Sequence, residues 1–173
     1  MKSFEKLLSG SDLRSIGESN VLVSLVNDQN NFDELFKCLF YEDRLVVMRA
    51  ADAIEKVTIK NPEYLNNHKK EILGLINHSD NKELKWHIAQ LLPRLQLTAK
   101  ELKLVWNSLI AWLDDQSNSR IVRVNSLQGL FDLSKKDSNL KESLKTVFLN
   151  IEKENIPSLN ARIRKLRKQA LKG

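Results

Sequence analysis

Cysteine occurs once in this chain, at Cys38, so no intramolecular disulfide framework can hold the fold. Proline and glycine number only three and five in 173 residues, which argues against a turn-dense sandwich of strands and against a low-complexity linker. No apolar run approaches the roughly 18 residues of a membrane span. The first residues carry Lys2, Glu5 and Lys6 and so lack the uninterrupted apolar core of a secretory signal. Strand-like alternation of useful length is missing, as are Asn-Gly or Asp-Gly hairpin turns and any Gly-rich phosphate loop. A helical, monomeric protein with no membrane association is expected, and the single thiol suits a reducing, cytoplasmic location.

Catalytic and metal signatures are also scarce. His68, His78 and His87 show no ligand spacing, and no cysteine pair exists to complete a zinc site. Cys38 lies between Phe36 and Leu39-Phe40, where a thiol is expected to be buried and inert. Asp114-Asp115 is a carboxylate pair in sequence only, because adjacent side chains on a helix diverge, and a helix end before Ser117 explains their polarity. No catalytic residue, cofactor or metal is expected.

Charge is present in quantity but unevenly. The net +6 resides in residues 153–173, where Lys153, Arg162, Arg164, Lys165, Arg167, Lys168 and Lys172 face Glu154 alone. The preceding residues sum to zero. Any electrostatic preference for a partner should therefore be concentrated at this end.

Three segments superimpose without gaps. They run Val46 to Val57, Leu84 to Leu95, and Val122 to Leu133, each starting 38 residues after the one before. In each, the first, fifth, eighth, ninth and twelfth positions are apolar or small, which places them on one face of a helix. Ala50, Ala53, Ser126 and Gly129 on that face would admit a neighbouring helix closely. Irregular copies flank these, one around Leu13-Arg14 with Gly17 and one from Ile163-Arg164 to Leu171. Between the segments lie four other amphipathic stretches, around Leu35-Phe36-Leu39-Phe40, Ile72-Leu73-Leu75-Ile76, Leu102 to Leu113, and Leu140 to Ile151. Each unit is thus a helix pair. Asn31 with Glu34, Asp80 with Glu83, Thr98 with Glu101, and Asn139 with Glu142 have capping-box spacing. Pro62 and Pro157 suit a turn or first helical position, whereas Pro93 predicts a kink or an early end of its helix.

The 38-residue pattern resembles the HEAT-repeat family and the similar armadillo-like arrays over about residues 10–172. The second helix of such repeats reads Val-Arg-x-x-Ala-Ala-x-Ala-Leu-x-x-Ile, usually after a turn aspartate. Val122-Arg123 and Leu84-Lys85 match the opening pair, Ala50-Ala51-x-Ala53-Ile54 matches the centre, and Asp43 and Asp80 stand near the turn. Val47, Gly129 and Pro93 depart from the pattern. The resemblance implies an all-α fold: a superhelical solenoid of about five helical hairpins with irregular outer repeats, forming a single domain over residues 1–173.

It also implies a repeated basic position. Arg14, Lys85, Arg123 and Arg164 are assigned to it, with Arg49 and His87 two residues after the corresponding slots. Such a row either lines the inner surface of the superhelix for an acidic partner or forms a ladder with turn aspartates that stitches the repeats. Arg162, Arg164, Lys165 and Lys168 form a second cluster, either an electropositive patch or the solvated cap that a terminal repeat requires. Trp106 falls on an apolar stripe and is expected in the core. Trp86, between Lys85 and His87, is the best single candidate for a contact residue.

The expected function is a non-catalytic scaffold gripping a protein or peptide on the concave face made by the second helices. The alternative is a nucleic-acid-binding domain similar in architecture to the HEAT-like glycosylases that act on alkylated bases. A HEAT-like lyase acting on a bilin is a third possibility. The acidic and aromatic set of the glycosylases, or a pocket signature of the lyase, does not stand out in these residues.

Overall fold

The computed structural model describes residues 4–9, 16–78 and 82–171. Among them every regular element is helical. The helices are α1 (Phe4–Leu8), α2 (Ile16–Leu25), α3 (Gln29–Lys37), α4 (Arg44–Lys60), α5 (Lys69–His78), α6 (Lys82–Leu91), α7 (Ala99–Asp114), α8 (Arg120–Ser134), α9 (Ser138–Lys153) and α10 (Pro157–Ala170). Short 3-10 turns follow α3, α4 and α6, at Cys38–Phe40, Pro62–His68 and Leu92–Arg94. No described helix is long and apolar enough to cross a membrane.

The repeat is visible in where the helices begin. α4, α6 and α8 start at Arg44, Lys82 and Arg120, again 38 residues apart. Every apolar or small position of the three superimposed segments is buried. This burial, rather than intrinsic helix propensity, is what stabilises helices of this length. Among the four intervening stretches the prediction was less complete: Leu35, Phe36 and Leu39 are buried, but Phe40 is exposed.

By contact the chain divides into two compact units, Met1–Glu71 and Ile72–Gly173, the division falling within α5. In the first, α4 packs against α1, α2, α3 and the 3-10 turns at Cys38–Phe40 and Pro62–His68. Phe32, Leu35, Ile54 and Leu65 fill its core. In the second, α8 is central and packs against α6, α7, α9 and α10. Its Gly129 stands where a Cβ would come within 2.8 Å of the Ala89 carbonyl oxygen and 3.0 Å of Leu109 Cδ1. The expected close approach of helices is therefore that of α8 to α6 and α7.

The helix ends correct part of the sequence reading. Thr98 and Glu101 form the expected reciprocal capping box at the start of α7. At α3, however, Asp28 is the cap, its carboxylate accepting from the Asn31 amide at 2.8 Å. At α9 the cap is Asp137, which accepts from the Asn139 amide at 2.8 Å. Asn31 and Asn139 therefore lie inside the first turn, where an earlier carboxylate accepts from the backbone amide of each, the donor that the capping box assigns to Glu34 and Glu142. Asp43 caps α4 through the Leu45 amide, and Pro62 and Pro157 each open a helical segment. Pro93 ends α6 early: the helix stops at Leu91 and tightens into a 3-10 turn. Asp80, Leu13, Arg14 and Lys172 lie outside the described residues.

Candidate functional site

Counted from the helix start, Lys85 and Arg123 are both the fourth residue of their helices, α6 and α8. They perform the same task. Arg123 is 2% exposed. Its Nε donates to the Leu113 carbonyl near the end of α7, and its Nη2 lies 2.7 Å from both Glu154 carboxylate oxygens, at the end of α9. Glu154 is positioned by the turn that follows it. Asn155 takes the left-handed conformation, φ 55°, which asparagine tolerates better than most residues, and the chain then enters α10. One guanidinium therefore fastens α8 to the ends of the helices on either side of it in sequence, a use suited to its planar set of donors.

Lys85 does the weaker equivalent. Its ammonium donates to Asn118 Oδ1 at 3.0 Å and lies 5.2 Å from the centre of the Trp112 ring. Asn118 in turn donates to the Trp112 carbonyl at 3.0 Å. The α7–α8 loop is thereby tied to α6. In the same loop, hydrogen bonds from the Ser117 hydroxyl and amide hold the Asp115 carboxyl below its ordinary range. Asp114 and Asp115 sit at the end of α7, as their sequence position implied.

In α10 the fourth residue is Asn160, not Arg164, which lies about one turn further on. The assignment of Arg164 to the repeated basic position is corrected accordingly. Asn160 Oδ1 is buried without a hydrogen-bond partner, while Arg164 is exposed.

Two residues after this position, and again 38 residues apart, stand Arg49, His87 and Asn125, all buried. Arg49 donates to the Leu8 carbonyl at 2.6 Å, and Asn125 donates to Ile121 at 2.9 Å. This repeated buried polar position includes Asn125, which sequence reasoning passed over. Its only signal was the 38-residue spacing.

The remaining predicted residues differ in exposure. Trp106 is buried, as expected, whereas Trp86 is half-buried, its indole in ring contact with His87. Val124 and Arg162 follow Trp86 at 38-residue intervals and are likewise half-buried. Arg162 donates to Gln128 Oε1 at 2.8 Å, joining α10 to α8. Ile121, on the first turn of α8, is 49% exposed. Arg164, Lys165 and Lys168 project from the exposed face of α10. The structure thus leaves Trp86 and Val124, each the fifth residue of its helix, half-buried on α6 and α8, joins Arg162 of α10 to α8, and places Arg49, His87 and Arg123 in the interior.

In residues 1–71 a histidine–carboxylate pair is built into an aromatic cluster. His68 Nε2 is 2.6 Å from Asp33 Oδ1, and its ring stacks on Phe36 at 3.9 Å between centres. Burial pushes the Asp33 carboxyl up, but hydrogen bonds from Gln29 and His68, with the charge of His68, outweigh it and leave the group below its ordinary range. Cys38 is buried, its thiol raised to about 11 by burial and by the charges of Glu5 and Glu34. A thiol so raised is a poor nucleophile near neutrality. Among the described residues no three His, Cys, Asp or Glu side chains are grouped to hold a metal.

A family model described as a HEAT repeat domain matches residues 5–172. No curated protein and no solved structure matches the chain.

Proposed function

We propose that this chain, which belongs to the HEAT repeat domain family, is a non-catalytic scaffold that binds a partner protein on the outward face of its second helices. The observation that carries this reading is the equivalent, half-buried position of Trp86 and Val124 on α6 and α8, with Arg162 of α10 bonded to α8 beside them. Each second helix commits one face to its neighbours and holds these side chains half out of the interior. Tryptophan and arginine are the types that dominate protein interfaces energetically. Ile121 adds exposed apolar surface beside them, and Lys165 and Lys168 give the face its charge. In this reading Lys85, Arg123, Arg49 and His87 act indirectly, by fixing the helices that present the face. The family match along nearly the whole chain supports treating it as one repeat domain.

The alternative, a nucleic-acid surface on α10, has fewer cations available than the sequence suggests. Arg162 is bonded to Gln128, and Arg167 is forked onto Glu152 at 2.6 and 2.8 Å. Arg164, Lys165 and Lys168 remain for phosphate contacts, and a few such contacts without base-reading groups give weak, sequence-independent binding.

A photo-crosslinking amino acid at Ile121 tests the scaffold reading in cells that make the protein. One discrete protein adduct is expected, absent in the Trp86→Ala background and absent when the crosslinker replaces Leu104 on α7, which is equally exposed but lies on a first helix. Adducts destroyed by nuclease would favour the alternative.

A further inference from the structure

One apolar depression in residues 72–173 lies away from the second-helix face and shares none of its residues. It is a groove of about 840 Å³ between the C-terminal end of α8, the middle of α9 and the last turn of α10. Phe131, Leu144 and Phe148 form its floor, and Leu149 and Leu171 border it. The last two are 57% and 88% exposed and extend the apolar surface of the floor outward.

The rim has one sign. Lys135, Lys141, Lys145 and Arg167 line the groove, and no carboxylate does. The acids that accompany three of these cations, Asp132, Glu142 and Glu152, lie outside the lining, in exposed or partly exposed pairs of 2.6 to 2.8 Å. The two lysine pairs are worth little and can exchange partners cheaply, whereas Arg167 stays forked onto Glu152. Two of the cations also lie over the aromatic floor: Lys135 Nζ is 4.5 Å from the Phe131 ring centre, and the Arg167 guanidinium is 5.7 Å from that of Phe148.

We propose that this groove is a docking site for an acidic amphipathic helix of a partner protein. From Lys141 to Leu149 the α9 wall is about 12 Å long at 1.5 Å per residue, room for about two turns of an added helix. Apolar side chains of that helix at i, i+3, i+4 and i+7 would meet Leu144, Phe148, Leu149 and Leu171. Carboxylates flanking them would meet Lys141 and Lys145. Nucleic acid is a poorer match, because its phosphates gain nothing from an apolar floor.

A fluorescent synthetic helix of about 15 residues, with leucines at those positions and glutamates elsewhere, tests the proposal by anisotropy on the full chain. Its lysine-for-glutamate counterpart, a DNA duplex and anionic phosphatidylglycerol vesicles serve as competing probes. The acidic peptide is expected to bind, to weaken by about tenfold or more in Leu149→Asp and in Lys141→Glu, and to weaken with salt. It should be unaffected by Trp86→Ala, which separates this site from the second-helix face. Both substituted residues are exposed, and an unchanged helical circular dichroism signal will show that the fold persists. Equal binding of the two peptides, no binding of the acidic one, indifference to Leu149→Asp, or binding of the duplex or vesicles in its place would each overturn the proposal.

Discussion

At Gly129 the backbone of α8 approaches α6 so closely that a single methyl group decides the sign of a substitution. A Cβ there would meet a backbone oxygen, Ala89 O, at 2.8 Å, with Leu109 and Pro93 also in range. Alanine gains helix propensity over glycine, about 1 kcal/mol, but overpacking against a backbone that cannot swing aside costs about 1–3 kcal/mol. Gly74 in α5 is the control, because a Cβ there meets nothing within 4 Å. Gly129→Ala is expected to lower the urea midpoint, and Gly74→Ala to raise stability by about 0.5–1 kcal/mol. If both raise the midpoint, α6 and α8 are not as tightly apposed as described.

Between elements, the fold depends on polar side chains that satisfy helix ends. The early stop at Pro93 leaves carbonyls that α6 cannot pair, and Lys136 accounts for two of them, donating to Pro93 at 2.6 Å and to Leu95 at 3.2 Å. Burial of that ammonium lowers its pKa. Arg123 and Glu154 are the stronger link, joining α8 to the ends of α7 and α9. Removing one member of a buried pair strands the other's charge, so Arg123→Met is expected to cost about 3–5 kcal/mol. Glu154→Gln leaves Arg123 its bond to the Leu113 carbonyl and an amide oxygen in place of the carboxylate, and should cost less. In a double-mutant cycle by chemical denaturation the coupling should be about 1–3 kcal/mol. Additive losses would mean that the pair does not join the helices energetically.

For the molecule as a whole, the most unusual quantity is the concentration of its +6 charge in the last helix and its flanks. Duplex DNA binding that depends on Arg164, Lys165 and Lys168 should fall with log salt at a slope of about 0.9 per neutralised phosphate, so these three support a slope of about 3 at most. Weak binding, or none, is expected at physiological salt, with no difference between the wild type and the triple Glu variant. Submicromolar affinity lost in that variant would move nucleic acid ahead of protein as the partner class.

The sequence alone determined which faces are buried, because a period of 38 residues combined with 3.6 residues per turn leaves Val46, Leu84, Val122 and their companions one common place to go. It also determined that Trp106 belongs to the core, that Cys38 is buried and that Pro93 kinks or ends its helix, since each follows from local chemistry. Three-dimensional structure decided the rest. Whether Asp28 or Asn31 caps α3 depends on where the first turn begins, and both spacings look alike in the chain. Arg123 and Arg164 are the same residue type in similar local sequence, yet one is sealed against Glu154 and the other faces water. The groove over Phe131, Phe148 and Leu149 combines three helices that are separate in sequence. A linear pattern records which side chains share a helix face, but only packing brings faces from different helices together.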